Sequence, residues 1–187
     1  TNKIKDLSKV NFFIITVPTP LKKNNNPDLS KLKTSCKNIA SVLKRGDIVV
    51  FESTVYPGAT QEICIPILER YSKLKLNRDF SVGYSPERIS PGDSKHKLTN
   101  IKKVISASNQ KALKTIKKVY KSIIKAGVFE AKNIKTAEAS KIVENVQRDL
   151  NISLMNEFSF LFSKMKIDTH EVLNAAKTKW NFLDFKP

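Results

Sequence analysis

Residues 11–17 read Asn-Phe-Phe-Ile-Ile-Thr-Val. This continuous apolar, β-branched run is too short to cross a membrane and lacks the alternation of a half-exposed strand, so it reads as a buried parallel strand. Residues 28–43 follow with helical spacing, Asp28 or Ser30 as the N-cap and Gly46 just past the end. The alternation then repeats: strand 47–51 (Asp-Ile-Val-Val-Phe), helix 59–71, short strands at 80–84 and 103–106, helix 109–125 and a last strand at 128–130. Strands alternating with helices of this length imply βαβ units and a parallel sheet, hence an α/β fold.

From about residue 135 the period changes. Ala139, Ile142, Val146, Leu150, Leu154, Phe158, Leu161 and Met165 recur at three- or four-residue steps. They imply one amphipathic helix over about 136–166, well beyond the usual ~11–12 residues, with a shorter helix at 168–177 capped by Asp168 or Thr169. The expected organisation is an incomplete Rossmann-type domain over 1–132 and a helical domain over 133–187. Long paired helices of this kind commonly form a subunit interface, so a homodimer through the long helix is expected.

The chain carries 34 Lys and Arg against 17 Asp and Glu, a formal charge of +17. Nucleic-acid binding is the first thing such a charge suggests. Only five of these residues are Arg (Arg45, Arg70, Arg78, Arg88 and Arg148), although bidentate phosphate recognition favours Arg. The lysines are also spread along the chain rather than clustered with aromatics. A solvated lysine surface is therefore preferred to a nucleic-acid footprint, and no nucleic-acid partner is expected. A polyanionic small molecule would still be attracted. No apolar run reaches membrane-spanning length, so no membrane association is expected. Two cysteines, Cys36 and Cys64, fit a reducing compartment, and with no apolar leader near Thr1 a cytoplasmic location is expected.

In an open α/β sheet, ligands bind outside the carboxyl ends of the strands. The segments there are Val17-Pro18-Thr19-Pro20, Glu52-Ser53-Thr54-Val55-Tyr56-Pro57-Gly58 and Ser85-Pro86-Glu87-Arg88-Ile89-Ser90-Pro91-Gly92-Asp93. Hydroxyls and carboxylates on three successive strand ends favour a ligand site over ordinary turn chemistry. The helix start after Gly58 is expected to offer free N–H groups to an anion. On the long helix, Lys141, Asn145, Arg148 and Asp149 form a polar stripe, either a solvated face or one with Lys141 and Asn145 reaching the same ligand. A lysine desolvated there would stabilise a developing oxyanion. Neither G-x-G-x-x-G nor a P-loop is present, and His96, His170, Cys36 and Cys64 lack metal-ligand spacing, so no metal is expected. Cys64, on an apolar helix face, reads as core rather than nucleophile.

Five motifs occur in order: Val-Pro-Thr-Pro (17–20), Glu-Ser-Thr-Val-Tyr-Pro-Gly-Ala-Thr (52–60), Gly-Tyr-Ser-Pro-Glu-Arg-Ile (83–89), Lys-Ile-Val-Glu-Asn-Val-Gln-Arg-Asp-Leu-Asn-Ile (141–152) and Lys-Trp-Asn-Phe-Leu (179–183). Together they resemble the UDP-glucose/GDP-mannose dehydrogenase family, nearest the branch that oxidises UDP-N-acetyl-hexosamines to uronic acids for surface polysaccharides. The resemblance implies two NAD+-dependent oxidations at C6 of a UDP-sugar, through a cysteine-bound thiohemiacetal and thioester. It implies that Val17, Pro18, Thr19, Glu52, Ser53 and Thr54 meet NAD, and that Thr54 also holds the catalytic water. Glu87 would orient water or move protons, Lys141 would stabilise the oxyanion, and Asn145 would bind substrate near the reacting carbon. Arg88 and Arg148 are further substrate-side residues. The family's glycine fingerprint would lie before Thr1 and its catalytic cysteine after Pro187. The 187 residues are therefore expected to be a fragment that does not catalyse the full reaction alone. Three positions depart from the family pattern: Pro91, where UDP-glucose relatives carry a second Glu, and Asp184 and Lys186 beyond the last motif. Two rivals from other classes remain at this point, a basic nucleic-acid-binding module and a non-catalytic dimerisation scaffold.

Overall fold

The computed structural model describes residues 1–89, 92–93 and 95–185; Pro91 and Lys186 lie outside the described residues. Two compact units are present, Thr1–Lys141 and Ile142–Pro187.

The first unit is built on a five-stranded sheet in the order β1 (Phe12–Ile15), β2 (Ile48–Phe51), β3 (Ser81–Tyr84), β4 (Lys103–Ala107), β5 (Val128–Glu130). Helices α1 (Ser30–Ala40), α2 (Ile65–Ser72) and α3 (Gln110–Lys121) connect the strands, and α4 (Ile134–Met165) begins in this unit. The mostly parallel α/β architecture expected from the sequence is present. β1, β2 and β3 are parallel, with Phe13 opposite Val49 and Val49 opposite Val82. β4 runs antiparallel to β3, pairing Tyr84 with Ser106, and β5 is parallel to β4. The reversal follows from the connection: a parallel crossover usually needs a helix, and among the described residues none lies between β3 and β4.

Side-chain alternation divides the core. Phe13, Ile15, Val49, Phe51, Val82 and Tyr84 belong to the cluster that includes Leu32 and Cys36 of α1, Leu68 of α2 and Ile134 and Ala137 of α4. Ile48, Val50 and Ile105 join Ala112, Ile116 and Tyr120 of α3 in a second cluster. β2 is thus covered on both faces, as a continuous apolar strand should be. β1 differs from the expectation. Among the described residues it is the end strand of the sheet, and Ile14, between the buried Phe13 and Ile15, is exposed.

The helix after Gly58 opens with a π-helical turn, Thr60–Cys64, before α2. Pro66 explains the widening, because its ring would crowd the carbonyl of Glu62 in a regular helix and it has no N–H to donate. Near α1, the Asp28 carboxylate accepts from Ser30 N at 2.9 Å, and this bond holds its carboxyl below the usual range. Cys36 and Cys64 are both buried; contact with the Cys36 thiol, then burial, pushes the Cys64 thiol up, away from nucleophilic character.

In the second unit, α4 continues to Met165 and α5 spans Thr169–Ala176. Asp168 caps α5, accepting from Glu171 N at 2.9 Å. Met155 and Leu173 are its buried apolar residues, whereas Val146, Leu150, Leu154, Phe158, Leu161 and Met165 are exposed. No described helix is long and apolar enough to cross a membrane, and no described group of His, Cys, Asp or Glu could hold a metal ion.

Gly83 leaves no room for a side chain between the sheet and α3. A Cβ there would fall on the Ile116 side chain of α3 and 2.8 Å from the Ser106 carbonyl oxygen. Gly83→Ala should therefore destabilise the fold by about 1–3 kcal/mol, as overpacked cores do. Urea denaturation checks this; an unchanged midpoint would mean that α3 yields without cost.

Candidate active site at the carboxyl edge of the sheet

The loops after β1, β2 and β3 open on one edge of the sheet and are laced together by side-chain hydroxyls. Ser53, buried in the β2 loop, donates to the Val17 carbonyl at 2.6 Å. Thr19 donates to the Thr54 carbonyl at 2.6 Å, and Tyr84 at the end of β3 donates to the Ser53 carbonyl at 3.2 Å. Burial, reinforced by the Glu138 carboxylate, pushes the Tyr84 phenol up, so it stays a proton donor. The Thr54 side chain and Pro18 are exposed on this edge, and Val17 and Thr19 are half-buried.

Because β4 runs against β3, its first residue arrives at the same edge. That residue is Lys103, only 2% exposed. Its ammonium lies 3.1 Å from Glu52 Oε2 and 3.7 Å from Glu87 Oε2. Tyr120 of α3 donates to the other oxygen of Glu52, so this carboxylate is held inside the sheet edge. Burial raises the Tyr120 phenol, and the Glu52 carboxylate, then Glu87, add to it. Glu87 is arranged differently. Its Oε1 accepts from the backbone N–H groups of Arg88 and Ile89, each at 2.7 Å, and its side chain is 41% exposed. Arg88 donates to the Lys102 carbonyl at 2.8 Å.

The helix start after Gly58 overturns one expectation. Its N–H groups are not open to an anion, because Glu138, fully buried on α4, accepts from Gly58 N at 2.5 Å and Thr60 N at 3.0 Å. Gly58 makes the turn possible, with φ +103 and Glu62 and Lys135 packed where a Cβ would stand. Glu138 thereby ties the first turns of α4 to the loop that carries Thr54. Lys141 lies three residues further on, half-buried at the end of the first unit. Asn145 and Arg148 belong to the second unit, where Arg148 donates to the Asn145 side-chain oxygen at 3.3 Å.

The structure thus gathers Val17, Thr19, Ser53 and Thr54 into one hydrogen-bonded set, with Glu52 and Glu87 meeting around Lys103 on the same edge. Sequence reasoning missed Lys103, one lysine among many, whose only signal is its place at the head of the apolar run Val104-Ile105. Glu138 was missed as well. Its signal is an acid flanked by Ala137 and Ala139 near the start of the helix.

Residues 1–124 match the NAD binding domain of the UDP-glucose/GDP-mannose dehydrogenase family, and residues 135–187 match its central domain. The chain belongs to this family. It is 54% identical over its full length to the UDP-N-acetyl-D-glucosamine 6-dehydrogenase of Salmonella typhi and 53% identical to that of Pseudomonas aeruginosa. It spans 44% of the length of each of these relatives. The structure of UDP-D-ManNAc dehydrogenase from Pyrococcus horikoshii is similar, with TM-score 0.93 and 36% identity, over 100% of this chain and 44% of that one. NAD is the cofactor that the matched domain is described as binding.

The Glu138 contacts yield a direct test. Glu138→Ala would leave two N–H groups buried without partners, at about 1–3 kcal/mol each. A stability loss of about 3 kcal/mol or more in urea denaturation is expected. A loss below about 1 kcal/mol would mean that water enters and replaces the carboxylate.

Proposed function

We propose that the chain is the NAD-binding and central part of a dehydrogenase that oxidises the C6 alcohol of a UDP-N-acetyl-hexosamine to the carboxylate, in surface polysaccharide synthesis. The observation that carries this reading is the edge itself. Thr19 and Thr54 are bonded across the first two loops, and Glu87, a 41% exposed carboxylate fixed by the N–H groups of Arg88 and Ile89, stands on the third. The family membership and the relatives named UDP-N-acetyl-D-glucosamine 6-dehydrogenase support the substrate class, with the glucosamine epimer the first to test.

The exposed Thr54 and Pro18 and the half-buried Thr19 and Val17 fit a cofactor lying across the ends of β1 and β2. Glu52 and Ser53 shape that wall from behind through their inward bonds. The helix start at Gly58 does not fit a phosphate, since Glu138 fills it. When bound, NAD+ supplies the electron acceptor for each oxidation. Thr54 and Glu87 hold and orient water, and Glu87 takes up or returns protons. Lys141 stabilises negative charge developing on the substrate oxygen. Asn145, Arg148 and Arg88 are substrate-side residues. The proposed domain boundary near residue 132 separates the NAD-binding part from the helical part.

The exposed apolar face of α4 supports a homodimer, because contiguous apolar surface of this kind usually marks an interface. Light scattering on the protein carrying this chain should report at least a dimer; a monomer at micromolar concentration removes that part of the reading.

Two activity measurements test the rest. The isolated 187-residue polypeptide should produce no NADH from UDP-N-acetyl-D-glucosamine and NAD+, since neither of its buried thiols is placed for the covalent step. Reproducible turnover would overturn this. In the longer protein that carries it, Lys141→Ala should lower kcat by about 10²–10³-fold, the usual effect of losing one oxyanion-stabilising group, with little change in KM. An unchanged kcat would remove Lys141 from the chemistry.

A further inference from the structure

We propose that Lys103 is a positioning residue for Glu87, anchored from within by Glu52 and Tyr120; this rests on the dehydrogenase reading of Glu87. A lysine ammonium excluded from water is costly unless oxygens surround it, so a side chain 2% exposed needs an explanation. The oxygens are there: Glu52 Oε2 at 3.1 Å, the Pro86 carbonyl at 3.4 Å and Glu87 Oε2 at 3.7 Å. The Tyr120 ring adds a face 5.7 Å away.

The two carboxylates are not equivalent. Glu52, 12% exposed, is fastened on its far side by Tyr120, so it anchors the ammonium and has little freedom to do anything else. Glu87, 41% exposed, is the member of the cluster that faces outward. Backbone N–H groups of Arg88 and Ile89 hold one of its oxygens, and Lys103 faces the other. An ion pair serving stability alone would be complete with Glu52. The added approach to Glu87 gives the Pro86–Glu87 loop a fixed charge beneath it, and so fixes the direction in which the open carboxylate points.

Sequence order alone hides this role. At the amino end of a parallel strand Lys103 would stand at the opposite edge of the sheet, and only the reversal of β4 brings it under the β3 loop. Its partners also come from separate segments: Glu52 after β2, Pro86 and Glu87 after β3, and Tyr120 on α3. One buried ammonium therefore couples the β2 and β3 loops and the helix behind them.

The test uses the full-length dehydrogenase that carries this chain, with UDP-N-acetyl-D-glucosamine and NAD+, and compares Lys103→Met, Glu87→Gln and the double variant. Misplacing a catalytic group by about 1 Å costs on the order of 10²-fold. Lys103→Met should therefore lower kcat by about that factor, with KM for both substrates within about threefold. Because the lysine acts through Glu87, the double variant should be no slower than Glu87→Gln alone. Multiplying losses in the double variant, or a KM effect with kcat retained, would overturn the proposal. If Glu87→Gln itself leaves kcat unchanged, the reading of Glu87 fails, a result distinct from Lys103→Met being silent while Glu87→Gln is slow. Lys103→Met strands two carboxylates and its fold is at risk. In that event Glu52→Gln/Lys103→Met, which removes the inner pair together, carries the same comparison with and without Glu87→Gln, and the same two outcomes decide.

Discussion

The chain reversal between β3 and β4 is the constraint on which the site depends. Three parallel strands would by themselves leave an edge of loops bonded only to one another. Returning antiparallel puts Lys103 and the buried Ser85–Val104 contact directly beneath the third loop, where Ser85 donates to the Val104 carbonyl at 2.7 Å. The crossover through α3 then places Tyr120 behind Glu52. The edge is thus underpinned from the far half of the sheet, and its exposed groups stand on a buried, hydrogen-bonded floor rather than on mobile turns.

A second constraint acts on the helix side. A helix beginning after a glycine turn presents unsatisfied N–H groups and a positive dipole end, which commonly receives a ligand phosphate. Here the anion is the protein's own. Glu138 occupies the position with two hydrogen bonds, and the favourable charge interaction is used to set the start of α4 against the Thr54 loop. The consequence for ligand binding is that this helix start is already occupied by a carboxylate, so a ligand phosphate would have to be held elsewhere.

Most of the architecture was legible because the hydrophobic period reports element type directly, even where the periodic residues, such as Val146, Leu150 and Leu154 of α4, are exposed. The apolar run at 47–51 and the three- and four-residue steps of α4 gave element type, order and nearly the limits. What escaped was non-local. The exposure of Ile14 depends on which strands neighbour β1, and the direction of β4 depends on how a loop without a helix closes; neither is encoded in a short window. The site divides in the same way. Thr19, Thr54 and Glu87 were legible because they follow strands, where ligand edges lie. Lys103 and Glu138 precede or underlie those loops, and their meaning appears only with their partners. The free N–H groups expected after Gly58 failed for the same reason, as their acceptor lies some eighty residues away.

The surroundings of the buried cation suit a lysine. An ammonium is a compact point charge with three donors, while a guanidinium is a planar fork suited to two parallel bonds to one carboxylate. The three oxygens near Lys103 come from Glu52 on one loop and Pro86 and Glu87 on another, and lie at graded distances of 3.1, 3.4 and 3.7 Å. A single nitrogen with three donors suits that set, with the Tyr120 ring 5.7 Å from it. In a chain of +17 formal charge the lysines on the surface say little about chemistry. The informative one is that from which water has been excluded, because burying it is tolerable only where the fold has first arranged its acceptors.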